Sequence, residues 1–358
     1  MAYFAGHLAA RETAVTGPEQ AQFLQAINRE GENVRLAWET AVQQQNVGAL
    51  RQMAGTLFHF YSKHGRQREG FAVFDAAVTK LQAGPLTPAA ERLLAACLIW
   101  QGRCGELIHQ GFAEPERLLQ RGLALARPHE LRVEMAQGLM GLGLLALIQN
   151  RQVKSDAYFQ ESLAICQQAK IPWTAANVLQ LTAWLRTSQG EAAQAREMAL
   201  QAIALQQATG DLNGEAAALN TLGKVESDLG DQAAAEAAYA RAWALCRQTG
   251  HRVGQAQALT GLFGACMRQG KVETAVAHAQ ASLQLNQEAG NRLGEAIARH
   301  NLGYACAAGG DHRQAVGHFR QALAIYDAIG SSQQRAENTR RYLTTSLAWL
   351  TETDPDQG

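Results

Sequence analysis

The residues able to do chemistry are present in this chain, but their spacing assembles no reactive set. Ten histidines occur. His312 and His318 are six residues apart and His59 and His64 five apart, spacings that do not place a pair on one helix face. No His-Glu-x-x-His, Cys-x-x-Cys or close Cys/His cluster occurs, so no zinc site of recognisable spacing is expected. The six cysteines, Cys97, Cys104, Cys166, Cys246, Cys266 and Cys306, lie in apolar helical patterns. Cysteine there reads as a small hydrophobe in place of alanine. A nucleophilic thiol would need a nearby histidine and an electropositive setting. "GLMGLGLLA", Gly138 to Ala146, superficially has the glycines of a dinucleotide loop. Such a loop follows a strand and opens a helix, whereas this one sits inside a helical pattern. Neither GxSxG nor GxxxxGK[ST] is present, and the carboxylates are scattered. The expectation is a non-catalytic protein with no cofactor and no metal.

Composition agrees with that. Lys+Arg and Asp+Glu number 32 each, giving zero net charge, so nothing favours nucleic acid or an anionic membrane. No run of 18 apolar residues suggests a membrane span. "MAYFAGHLAARETA" has no basic start followed by a long apolar stretch, so no signal peptide is expected. Unpaired cysteines in a chain of 358 residues fit a reducing compartment, and the cytoplasm is the expected location.

What must position these residues is a repeat. Gly210, Gly250, Gly290 and Gly330 are forty residues apart, and Gly190, Gly230, Gly270 and Gly310 keep the same interval. Between them Ala195, Ala235, Ala275 and Ala315 share one position. Ala202, Ala242, Ser282 and Ala322 share another, which extends back to Ser162 and Gly122. Self-similarity of this length marks a stacked architecture. An earlier unit fits 51–82, with Gly65 and Ala77 in the matching places, and "GPLTPA", Gly84 to Ala89, is an insertion. Apolar residues at intervals of three and four, as in Ala235, Ala238, Tyr239, Ala242 and Leu245, predict two helices per unit. Glycine suits the residue after a helix end. Asp211, Asp231, Asn291, Asp311 and Ser331 follow such glycines and can cap the next helix. Alanine at the seams lets helices approach closely, where a larger residue would overpack.

Leu222-Gly223, Ala235, Tyr239 and Ala242, and again Leu302-Gly303, Ala315, Phe319 and Ala322, stand as in the tetratricopeptide repeat, which this chain resembles. The period exceeds the family's usual 34 by roughly six residues. Armadillo or HEAT stacking is the structural alternative. "ENVRLAW", Glu32 to Trp38, followed by "HGRQREG", Gly70 being its last residue, resembles the segment after the nucleotide-binding module of MalT-like bacterial signalling ATPases. The resemblance implies an all-α fold, a right-handed superhelix of helical hairpins. It divides into an N-terminal cap segment, 1–48; about seven hairpins over 49–330; and a C-terminal capping helix with a frayed tail, 331–358.

The same resemblance implies where a ligand goes. In tetratricopeptide proteins the first helix of each pair lines the concave side, and the positions three before and one after the Leu-Gly glycine point into it. Carried onto this sequence, these positions and their neighbours one turn away give Trp100, Met140, Asn177, Gln180, Trp184, Asn220, Lys224, Arg268, His300 and Tyr304. The expected partner is a protein, a peptide or a small inducer, and the expected role is recognition in bacterial signal transduction or transcriptional regulation. The alternative is a constitutive scaffold that joins partners through its outer faces.

Overall fold

The computed structural model describes residues 3, 6, 8, 19, 22, 26, 27, 29–63, 66–84, 87–106, 111–330 and 333–353. His64, Gly65, Ser331 and the tail from 354 on, which entered the expectations above, lie outside the described residues. Sixteen helices run through them, with no strand among the described residues. They are α1 (Gly31–Gln43), α2 (Val47–Lys63), α3 (Gln67–Gln82), α4 (Pro88–Gly105), α5 (Ala113–Ala126), α6 (Arg132–Ile148), α7 (Gln152–Ala169) and α8 (Pro172–Ser188). There follow α9 (Ala192–Thr209), α10 (Leu212–Asp228), α11 (Gln232–Thr249), α12 (Arg252–Arg268), α13 (Val272–Glu288), α14 (Arg292–Ala308), α15 (His312–Ile329) and α16 (Gln333–Thr353). The chain divides into two compact units, residues 1–214 and 215–358.

In the first unit the regular hairpins are α4/α5, α6/α7 and α8/α9, each helix packing on its partner. Their ends follow from local chemistry. Thr87 caps α4, its hydroxyl accepting from the Ala90 amide at 3.2 Å, and Pro88 opens the helix where a missing N–H costs nothing. Glu130, Asn150 and Lys170 sit in the left-handed region at φ 50°, 57° and 54°. These are the twenty-residue steps that glycine marks further on, at Gly190 and Gly210. The turn geometry therefore continues where the glycine signal stops, at a cost of about 1 kcal/mol per non-glycine residue.

The N-terminal helices depart from the hairpin pattern. Helix α2 packs more on α4 than on α3. Trp38 of α1 meets the Phe74 ring edge-on at 5.7 Å and its indole N–H donates to the Val73 carbonyl at 3.2 Å, so the Trp of "ENVRLAW" ties α1 to α3. Gly70, the last residue of "HGRQREG", lets α3 approach two neighbours. A Cβ there would lie 2.9 Å from both Tyr61 Cβ and Cys104 Sγ.

In the second unit the hairpins are α12/α13 and α14/α15. Helix α11 packs on α12, and α16 covers the end of the array against α15. Asp231, Asn291 and Asp311 cap α11, α14 and α15 through their side-chain oxygens, and Asp211 does the same for Gly214 N in the first unit. Ala235, Ala275 and Ala315 are fully buried, as is Ala195 in the first unit. Ser282 and Ser162, where the other repeats have Ala or Gly, bond back to the Ala256 and Ala136 carbonyls of their own hairpins at 3.0 and 2.8 Å. A buried hydroxyl is satisfied in this way.

Each of this unit's hairpin seams holds one ring. Tyr239 lies over Gly223 and Phe319 over Gly303, where an added Cβ would fall 2.8 and 2.7 Å from ring atoms. In α12/α13 the pair is inverted. Phe263 stands at the glycine position and Ala279 at the ring position, both buried in one cluster. Total volume is conserved while the side that supplies it changes.

Candidate functional site

Within each unit the first helices of successive hairpins touch one another: α4 with α6 and α6 with α8, and α12 with α14. No contact of comparable extent joins α5 to α7, α7 to α9 or α13 to α15. The first helices therefore line the tighter side of each unit, and their outward positions form the candidate surface.

In the first unit two of the expected residues are not on that surface. Trp100 is 3% exposed. Phe58 stacks on it at 4.5 Å, and His59 adds a second ring. Helix α2 lies across the first-helix side here: Arg51 reaches Glu134 of α6 at 3.7 Å, and His59 meets Trp173 of α8 edge-on at 4.7 Å. Trp100 is a core residue because α2 covers it. Met140 is 2% exposed and packs with Leu147, Phe159, Val178 and Leu185, filling space between neighbouring hairpins. Both assignments to the binding surface are corrected. Asn177 and Gln180 on α8 are half-buried, and Asn177 Nδ2 donates to the Trp173 carbonyl at 2.8 Å. Trp184 remains 46% exposed, with Leu144 half-buried at the matching position of α6 and Ile148 exposed one turn on.

Beside Phe58 lies a feature the spacing did not reveal. Arg103 and Glu106 pair at 3.4 Å with side chains 14% and 3% exposed, and the guanidinium stands 6.0 Å from the Phe58 ring centre. Burial pushes the Glu106 carboxyl up to about 7, and the Arg103 charge opposes that. A Cβ at Gly141 would fall 2.9 Å from Arg103 Cδ, and one at Gly138 3.0 Å from Leu123. The glycines of "GLMGLG" are thus packing contacts.

In the second unit the expected residues lie on the first helices α10, α12 and α14. Asn220 is half-buried on α10, and its Oδ1 has no hydrogen-bond partner. Lys224, one turn on, is exposed and donates to Asp228 at 2.6 Å. Arg268 at the end of α12 is exposed; its Nε donates to Gln232 Oε1 at 3.1 Å and its Nη2 to the Ser227 hydroxyl. His300 Nδ1 lies 2.9 Å from the Thr339 hydroxyl of α16, and its ring is 5.5 Å from Tyr342. Burial, aided by Arg335, holds the His300 imidazole below its usual pKa. Tyr304 is half-buried between Phe263 at 6.5 Å and Tyr342 at 5.3 Å. The capping helix thus narrows the open part of this face to α10 and α12.

Burial raises the thiols of Cys97 and Cys104 to about 12 and those of Cys166 and Cys246 to about 11, so none is a thiolate at neutral pH. No group of three or more His, Cys, Asp or Glu side chains among the described residues could hold a metal ion. No helix of the described residues is long and apolar enough to cross a membrane.

Comparison with known proteins places this geometry. Models of the tetratricopeptide repeat match residues 216–249 and 254–328. No curated protein matches the chain in sequence. Among solved structures, a Rap protein complexed with Competence and Sporulation Factor is similar over 98% of both chains, with 14% identity and a TM-score of 0.63. The signal transduction ATPase with numerous domains from Pyrococcus horikoshii, which has a tetratricopeptide repeat sensor, is similar over 97% of this chain and 54% of that one. Its identity is 12% and its TM-score 0.59. BtubC from P. vanneervenii is similar over 61% of this chain and 92% of that one, at 18% identity and a TM-score of 0.51. Residues 216–249 and 254–328 carry tetratricopeptide repeats, and the chain has a tetratricopeptide-type helical fold similar to that of these structures.

Proposed function

We propose that this protein is a non-catalytic recognition module that binds a peptide or protein segment along the first-helix faces, in bacterial signalling or transcriptional control within the cytoplasm. The seams between helices are largely alanine and glycine, with a ring at Phe159, Tyr239, Phe263 and Phe319. In the first unit the first-helix face carries the exposed Trp184, and in the second unit it carries the exposed Lys224 and Arg268. The exposed Trp184 ring carries the reading, since exposed aromatic residues are typical anchors of recognition surfaces. The resemblance to a Rap protein in complex with its factor and to an ATPase with a repeat sensor supports it. In this reading residues 49–330 are the recognition array and the two ends are its caps.

The scaffold alternative draws on Val153 and Leu200, which are 87% and 49% exposed on the second helices α7 and α9. The two readings separate in a capture experiment. Trp184→Ala with Asn220→Ala should abolish recovery of partners from a lysate of the source cells, while Val153→Asp with Leu200→Asp should leave it intact. The opposite pattern would establish the scaffold and end the recognition reading.

A further inference from the structure

The recognition reading leaves two sequence motifs without a role, "ENVRLAW" and "HGRQREG". The fold brings charged residues of both to one cavity of about 220 Å³ in the first unit, outside the regular hairpins. Glu32 and Arg35 of the first motif line it, and so do Arg66 and Glu69 of the second. Its floor is apolar, because Val34 of α1 and Leu57 and Phe60 of α2 are each buried and turned into it.

The start of α3 sets the guanidinium at the mouth. The Arg66 amide donates to the Tyr61 carbonyl at 2.9 Å, which brings the head of α3 back over the end of α2. The Arg66 guanidinium carbon then stands 5.5 Å from the Phe60 ring centre and 5.7 Å from that of Tyr61. Its Nε and Nη2 grip the two Glu69 oxygens at 2.7 and 2.5 Å. Two rings and a carboxylate therefore fix one edge of the fork and leave Nη1 without an acceptor among the described residues. Arg35 is fully engaged, with Nη2 on Glu32 at 2.7 Å and Nη1 on Glu39 at 2.8 Å.

Two further donors line the same cavity. Arg29 is exposed and pairs with no carboxylate among the described residues. Tyr61 is 5% exposed, and its hydroxyl has no hydrogen-bond partner among the described residues. Burial pushes that phenol above its usual pKa, so it keeps its proton and can donate. A bare inorganic anion would leave the apolar floor unused, and a wholly apolar guest would leave the donors unpaired. An apolar body that ends in a carboxylate uses both. The cavity is smaller than the roughly 300 Å³ at which drug-sized sites begin, so the guest is small.

We propose that this cavity binds a small carboxylic acid, its apolar body on Val34, Leu57 and Phe60 and its carboxylate between Arg66 Nη1, the Tyr61 hydroxyl and Arg29. The site shares no residue with the first-helix faces, so it stands or falls separately from the recognition reading.

The test uses the full-length protein and fluorine NMR. The probe is para-fluorobenzoate, and its uncharged counterpart is para-fluorobenzamide. Protein should broaden the benzoate line in a saturable way and bind the benzamide at least tenfold more weakly. Tyr61→Phe, which removes only the hydroxyl, should weaken the benzoate about tenfold, the loss expected for one hydrogen bond to a charged group. Arg66→Met, which keeps the stem over the rings, should weaken it by at least as much. Val34→Trp, which fills the floor, should weaken both probes. Arg341→Gln on the exposed side of α16 should change nothing, and circular dichroism should show all variants folded. Equal binding of the two probes, no binding of the benzoate at millimolar concentration, or full affinity in Tyr61→Phe or Arg66→Met would overturn the site. So would displacement at equal concentration by inorganic phosphate or by the peptide acetyl-Gly-Gly-Gly-Phe, since the cavity would then serve a bare anion or a chain end.

Discussion

The inverted seam in the second unit gives a quantitative prediction. Phe319 is fully buried, with its ring on Gly303, 5.7 Å from His300 and stacked on Tyr342 at 6.0 Å. Phe319→Ala should cost about 3–5 kcal/mol, the sum of lost transfer free energy and the cavity left between α14 and α15. The neighbouring hairpin shows how the cavity can be refilled from the other side, because Phe263 there faces Ala279. Gly303→Phe combined with Phe319→Ala reproduces that arrangement, so the double variant should recover about half of the loss or more. Gly303→Phe alone should be worse than either, since two rings cannot share a gap in which even a Cβ lies 2.7 Å from the first ring. Hydrogen exchange of the α14 and α15 amides reads the local opening free energy. A loss of about 4 kcal/mol accelerates exchange roughly a thousandfold. If the double variant exchanges as fast as Phe319→Ala, volume complementarity at the seam is not what holds the hairpin, and the account of the alanine and glycine pattern is wrong.

Three further outcomes follow from the first unit and from the caps. Trp100→Ala should destabilise the protein by about 3–5 kcal/mol, because α2 covers that ring, while Trp184→Ala should change stability by less than about 1 kcal/mol; thermal melts of the two variants decide this. Glu106 has its proton affinity raised on folding, so the folded state binds the proton more tightly than the unfolded chain. Its contribution is therefore fully present below about pH 4.5 and is lost as pH rises to about 7. The stability difference between wild type and Glu106→Gln should shift by about 3 kcal/mol across that window and be flat above it. A difference independent of pH would show that folding leaves the proton affinity of Glu106 unchanged. Asp231→Ala should cost about 1 kcal/mol in urea unfolding by releasing the Ala234 amide, and Asp231→Asn should restore most of it.

The repeat was legible because glycine and alanine answer to backbone and packing rules that depend on little else. Left-handed turns at Gly210, Gly250, Gly290 and Gly330 and buried alanines at 195, 235, 275 and 315 came directly from spacing. Glu130, Asn150 and Lys170 adopt the same turn without announcing it, since tertiary packing outweighs a penalty of about 1 kcal/mol. Trp100 and Met140 were misplaced for two reasons. Repeat register says which side of a helix a residue occupies, but not whether a helix from outside the register, here α2, lies on top of it. It also does not say how far a flexible Met leans into the next seam. The Arg103–Glu106 pair had no spacing signal to distinguish it from the surface pairs of an ordinary helix. The hydrogen bonds that hold Arg268 come from Ser227 and Gln232 on two other helices and could not be read from its own.

Hydrogen exchange on the protein saturated with a partner recovered by capture is the most direct test of where recognition occurs. The account predicts new protection in the first helices, centred on the segments carrying Trp184, Asn220 and Arg268, with the second helices α7, α9, α11 and α13 unchanged. Protection confined to those second helices would contradict it.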